Sequence, residues 1–126
     1  MPPPDTNNFS LVPIVHKIKN LYQALYRLGS KISKRDKLGI HSVLETVCLT
    51  MMSLAIEAAF TPRIVKKPIL EKLRIKTEVA KQLVRTENEL GIIADATYLE
   101  FGNKLMEISK MTTRWIQSLL KPEKEH

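Results

Sequence analysis

The chain has 126 residues, 44% apolar and 26% charged, which is the size and composition of one globular domain. Its only cysteine, Cys48, excludes an internal disulfide and a cysteine-based metal centre, and no uninterrupted apolar run approaches the roughly 18 residues of a membrane span. The first residues lack the charged and apolar regions of a signal peptide, so the expectation is a reduced, cytoplasmic protein that does not engage a membrane.

The formal charge of +7 comes from 20 Lys and Arg against 13 Asp and Glu, and it is unevenly spread. No acid lies between Asp5 and Asp36, where Lys17, Lys19, Arg27, Lys31, Lys34 and Arg35 fall. Residues 61–86 hold eight cations against only Glu71 and Glu78. Two such blocks suit either a polyanionic partner or a merely solvated basic surface.

Proline and glycine divide the chain into elements. Residues 1–10, with three prolines and Asn7-Asn8, read as a flexible lead, 11–121 as a four-helix bundle and 122–126 as a flexible tail. Pro13 suits the first turn of a helix over about 12–32, whose apolar stripe is Ile14, Ile18, Leu21, Tyr22, Leu25, Leu28 and Ile32. Lys17, Arg27 and Lys31 fall on its polar face. Ser33 is placed to cap a second helix over 35–60, with a core stripe of Ile40, Leu44, Val47, Met51, Ala55 and Ala58. Leu38, Leu49, Ile56 and Phe60 form a second apolar stripe, separated by a narrow polar strip of Glu45, Thr46, Thr50, Ser53 and Glu57. Pro68 opens a third helix to about residue 90, with Ile69, Leu73, Ala80 and Val84 inward and Ile75 and Val79 to the side. Gly91 stands where a C-cap belongs and Asp95 where the next N-cap belongs. The fourth helix, about 96–120, carries Tyr98, Phe101, Leu105, Ile108, Thr112, Ile116 and Leu119 at near-heptad spacing. The fold class is therefore all-α, an up-down four-helix bundle. A bundle covers one side of the second helix, so its other apolar side calls for a second subunit, with Leu49, Ile56, Phe60, Ile75 and Val79 as the seam.

Chemistry-bearing groups are sparse. His16, His41 and His126 share no metal-binding spacing, Cys48 borders a core stripe with no nearby cation, and the four glycines are isolated. The expectation is a protein that is not an enzyme and holds no cofactor or metal. The cations are more informative. Lys67, Arg74, Lys81 and Arg85 recur at seven, seven and four residues and so line one narrow face of the third helix. Such a row can neutralise phosphates without reading sequence. Glu78, within that row, is placed to pair with Arg74 or Arg85.

Several segments, in order, are similar to one known family. "LYQALYRLGSKI" runs into "SKRDKLGIHSVLETV", followed by "IEAAF", a loop with Lys66 and Lys67, "LEKLRIKTEVAKQL", and "YLEFGNKLMEISKMTTRWIQSLLK" with its Trp115-Ile116 pair. Together they resemble, over about residues 12–121, the four-helix-bundle family that joins ribosomal-RNA intervening-sequence proteins to the accessory variability determinant (Avd) of diversity-generating retroelements. The resemblance implies a basic, non-enzymatic homopentamer shaped like a barrel. It also implies binding to reverse transcriptase and to template RNA, or DNA, in support of mutagenic cDNA synthesis. Contacts to nucleic acid or polymerase carry over to Arg27 and Arg74, and by neighbourhood to Lys31, Lys81 and Arg85. Glu78 and Thr112-Thr113 depart from the family pattern. The intervening-sequence branch implies instead a standalone oligomeric RNA- or DNA-binding protein.

Overall fold

The computed structural model describes residues 13–121. The readings of a lead over 1–10, of a tail over 122–126 and of His126 lie outside the described residues. The described chain is helical without strands: α1 (Pro13–Gly29), α2 (Lys34–Leu38), α3 (Ile40–Phe60), α4 (Lys67–Glu89) and α5 (Asp95–Leu119), with a 3₁₀ turn at Arg63–Val65. Four long helices form a ring in which α1 lies beside α3, α3 beside α4, α4 beside α5, and α5 returns to α1. Neighbours run antiparallel. Cys48 reaches the Ile18 carbonyl while His41, earlier in α3, reaches that of Leu25, later in α1. Likewise Asn88 bonds Asp95 where α4 ends and α5 begins, and Ser109 meets Glu78 further back along α4.

The core follows the predicted stripes closely on α3 and α5. Leu44, Val47, Met51, Ala55 and Ala58 are buried, as are Phe101, Leu105, Ile108, Thr112 and Ile116. On α4 the buried row is Leu70, Leu73, Thr77, Ala80, Val84 and Glu87, so Leu70 takes the central place expected of Ile69, which is half-buried. Thr77 and Thr112 enter the core by donating their hydroxyls to the carbonyls four residues back.

Three boundaries differ from expectation. The first helix stops at Gly29, not near residue 32: the Ser30 and Lys31 amides reach back three residues, to the Arg27 and Leu28 carbonyls, rather than four. Lys31 therefore sits in the following turn, off the polar face of α1. The second helix is interrupted at Gly39, whose backbone (φ −94°, ψ −118°) leaves the helical region, so α2 and α3 are separate. Ser33 caps α2 as expected, accepting from the Asp36 amide at 3.2 Å. At the other predicted stop, Gly91 adopts φ 76°, and the Ile92 amide turns back to the Glu87 carbonyl at 2.8 Å, so the α4 terminus closes as glycine there permits. The N-cap of α5 is Ala94; Asp95 is its first helical residue and accepts from the Asn88 side chain at 2.9 Å.

The stretch Lys34–Phe60 is long and apolar enough to cross a membrane by length and composition alone, yet only 33% of its most apolar window is buried within the chain. One side of α3 forms the bundle core. The α1 flank of that core is marked by Cys48 and by Glu45, which lies 3.8 Å from where a Cβ on Gly29 would stand. Stepping about 100° per residue, Leu49, Ile56 and Phe60 continue outward on this same flank. Leu49 and Phe60 are exposed and Ile56 is half-buried. On α4, Glu78 and Lys81 mark the α5 side, which turns Ile75 and Val79 outward and toward α3. Both are exposed, as is Val43 on the α4 flank of α3. The strip Thr46, Thr50, Ser53 and Glu57 runs between these groups. The single seam expected from sequence is therefore two apolar faces, one on each flank of α3.

Candidate nucleic-acid interface

The row on α4 is present as a row: Arg74 and Arg85 are exposed beside the half-buried Lys81, on the side of the helix toward α5. Its charge is largely answered from within the same helix. Arg74 Nε donates to Glu71 at 2.7 Å, Lys81 Nζ to Glu78 at 2.8 Å, and Arg85 Nε to Glu89 at 3.3 Å. The sequence reading had paired Glu78 with Arg74 or Arg85. Each arginine instead has a nearer acid, Glu71 three residues before or Glu89 four residues after, leaving Glu78 to Lys81 and to the hydroxyl of Ser109. Spacing of three and four was the signal available in the sequence for Glu71 and Glu89. Lys67, at the start of the row, has no acid partner among the described residues and lines an open groove with Ile64, Leu119 and Leu120.

On α1, Lys17 crosses to α5 and pairs with Glu107 at 2.8 Å. The hydrogen bond and then the charge of Lys17, helped by Lys110 and Arg114, hold the Glu107 carboxyl below the usual carboxylate range. Arg27 and Lys31 are exposed and make no ion pair among the described residues. At the opposite end of the bundle, Lys66 lies 5.4 Å from the centre of the Trp115 ring. Burial, with Arg63 nearby, pulls the Lys66 pKa down. The seven cations read from sequence thus differ in state: Lys17, Arg74, Lys81 and Arg85 are paired, while Arg27, Lys31 and Lys67 have no acid partner among the described residues.

His41, which shows no metal-binding spacing in the sequence, lies fully within the core. Nε2 contacts the Leu25 carbonyl of α1 at 2.7 Å, and Nδ1 contacts Glu87 Oε2 of α4 at 2.9 Å. A carbonyl only accepts, so Nε2 carries a hydrogen; one further proton is then shared between Nδ1 and the Glu87 carboxyl. Burial lowers the pKa of His41, but the Glu87 hydrogen bond, the Leu25 carbonyl and the charges of Glu87 and Glu45 outweigh it, and the pKa ends above the ordinary value. Glu45 Oε2 is 3.8 Å from Nε2. Glu87 is itself wholly buried, and its Oε1 has no hydrogen-bond partner among the described residues. This triad ties α1, α3 and α4 together, and Glu87 was missed because a lone glutamate near a helix end reads as surface. Cys48 is buried, as expected, and burial pushes its thiol up to about 12.

Fold and surface together define a small four-helix-bundle protein with an excess of basic side chains. Comparison with protein-family models, with curated proteins and with solved structures finds no match to this chain.

Proposed function

We propose that this chain is a non-enzymatic accessory protein that closes on copies of itself and binds nucleic acid, with the role its sequence resemblance implies. That role is binding reverse transcriptase and template RNA or its DNA copy in a diversity-generating retroelement. The observation that carries the reading is the pair of apolar faces flanking α3. A two-fold dimer buries one patch against itself, whereas a head-to-tail contact sets Leu49, Ile56 and Phe60 of one copy against the Ile75–Val79 face of the next. Repetition of that contact covers both faces and generates a ring, five-membered by the resemblance. The uncompensated part of the +7 charge then multiplies over the ring and attracts a polyanion.

The experiment is light scattering of the purified chain beside Leu49→Asp/Ile56→Asp and Val79→Asp variants. The expected result is one closed oligomer for the parent chain and monomers for both variants, since each face is needed by a different neighbour. A monomeric parent chain at micromolar concentration overturns the ring. Pull-down with any reverse transcriptase encoded in the gene's neighbourhood, at low salt, tests the partner. Failure there favours the standalone nucleic-acid-binding alternative. Internal pairing of Arg74, Lys81 and Arg85 weakens these residues as the contact in either reading, since the resemblance assigns them to nucleic acid or polymerase alike.

A further inference from the structure

Between Arg27 and Lys37 the chain carries Arg27, Lys31, Lys34, Arg35 and Lys37 against a single acid, Asp36. All five cations are exposed, and none forms an ion pair among the described residues. They are held in a compact corner. The Ser30 amide and hydroxyl both donate to the Arg27 carbonyl, at 3.3 and 2.9 Å, and the Lys31 amide donates to Leu28 at 2.8 Å. Ser33 caps α2, and the Gly39 amide fastens its end through the Arg35 and Asp36 carbonyls at 2.9 and 3.2 Å. A Cβ at Gly39 would meet the Arg35 carbonyl oxygen at 3.0 Å, so the tight exit from α2 depends on glycine.

The acids at this end of the bundle are mostly occupied. Glu45 of α3 leans toward His41, Glu87 of α4 is buried against it, Glu89 holds Arg85, and Asp95 of α5 accepts from Asn88. Asp95 and Glu100 are the exposed carboxylates in the first turns of α5, Glu100 standing about two turns from Glu107 toward this end. The corner thus keeps a net positive charge on a backbone already shaped by hydrogen bonds.

We infer that the Arg27–Lys37 corner, rather than the α4 row, is where this protein grips the phosphodiester backbone of a nucleic acid. The inference rests on the nucleic-acid reading above and assigns Lys34, Arg35 and Lys37 to the contact alongside Arg27 and Lys31. A cation already bonded to a carboxylate brings that carboxylate's repulsion to any phosphate it approaches. An unpaired one neutralises a phosphate and releases a counterion. Recognition of this kind is blind to base sequence.

The test uses the full chain and labelled single-stranded oligonucleotides of equal length, one oligouridine and one oligodeoxythymidine, titrated by fluorescence anisotropy over a salt series. Lys34→Gln/Arg35→Gln/Lys37→Gln should weaken binding to oligouridine by about tenfold or more and lower the salt slope by about 2, three lost contacts at roughly 0.7 each. Arg74→Gln/Arg85→Gln should change affinity by less than about twofold, the pairs being exposed and self-compensated. Equal losses for the two oligonucleotides identify the backbone charge as the ligand; loss confined to oligouridine identifies ribose-bearing backbone, and both outcomes support the corner. A corner variant that binds like the parent chain, or a larger loss in the α4 variant, overturns the inference and leaves the nucleic-acid reading intact. A parent chain that binds neither oligonucleotide at low salt overturns both. Crosslinking of the unmodified protein to oligouridine, with peptides from residues 27–37 recovered, gives the answer without any variant, and crosslinks confined to α4 refute it.

Discussion

Two sets of acid–base contacts at similar distances do different things in this molecule. His41 and Glu87 meet at 2.9 Å inside the core, on different helices, with the Leu25 carbonyl completing the contact from a third. Arg74–Glu71, Lys81–Glu78 and Arg85–Glu89 meet at 2.7–3.3 Å on the surface of a single helix. Distance alone does not separate them; solvent does. In the core each partner is indispensable to the other, because an unpaired buried charge costs several kcal/mol. On α4 water screens each pair, and the main effect is to cancel charge that would otherwise face outward. The comparison also sorts the basic side chains by availability, which is how the Arg27–Lys37 corner emerges from a chain that is basic in many places.

The largest expected effect is at Glu87. Glu87→Ala should destabilise the fold by about 3–5 kcal/mol by stranding His41 in the core, seen as a lower urea midpoint with unchanged slope. Replacing both residues with Leu should recover most of that loss, because a packed apolar pair needs no partner. A Glu87→Ala change as mild as a surface substitution would erase the contrast between the two sets.

Next in size is a pH effect. The folded-state pKa of His41 is raised, so its contribution to stability is complete below the unfolded value of about 6.5 and is lost as pH rises through the folded value. The melting-temperature difference between the parent chain and His41→Gln should therefore be larger near pH 6 than near pH 9, both taken as round working values. A difference that grows with pH would mean that the buried imidazole is held neutral.

The smallest effect on stability is expected on α4. Glu71→Gln/Glu89→Gln should shift unfolding free energy by no more than about 0.5 kcal/mol per pair, while raising affinity for oligouridine a few-fold at low salt by unmasking Arg74 and Arg85. Unchanged affinity would show that this helix face does not meet the nucleic acid even when its cations are released.

Periodicity made the bundle legible: the stripes of α3 and α5 occupy the core nearly residue for residue, and Gly91 and Ser33 punctuate the chain as their chemistry suggests. The failures are local and have causes. Ile69 and Leu70 are adjacent apolar residues on a short register, and only packing against α3 and α5 selects Leu70. Gly29 and Gly39 read only as isolated glycines, whereas the first helix ends at one and the second is broken at the other. The charge pattern located the cations but not their partners, since three acids at helical spacing were enough to quiet α4. The apolar groups Leu49, Ile56, Phe60 and Ile75, Val79 are legible in the sequence, yet assigning each to a different side requires knowing where α1 and α4 lie.

The single thiol gives this bundle a built-in clock. Cys48 sits between α1 and α3, its Sγ 3.7 Å from the Ile18 carbonyl, and burial leaves almost none of it as the reactive thiolate. An alkylating reagent can reach it only when α1 lifts away. The rate of modification under native conditions, divided by that of the unfolded chain, therefore reads the equilibrium for opening this one seam. A ring contact that laps over the Leu49 flank would slow the clock, so subunit assembly and the breathing of a single helix become measurable on the same atom.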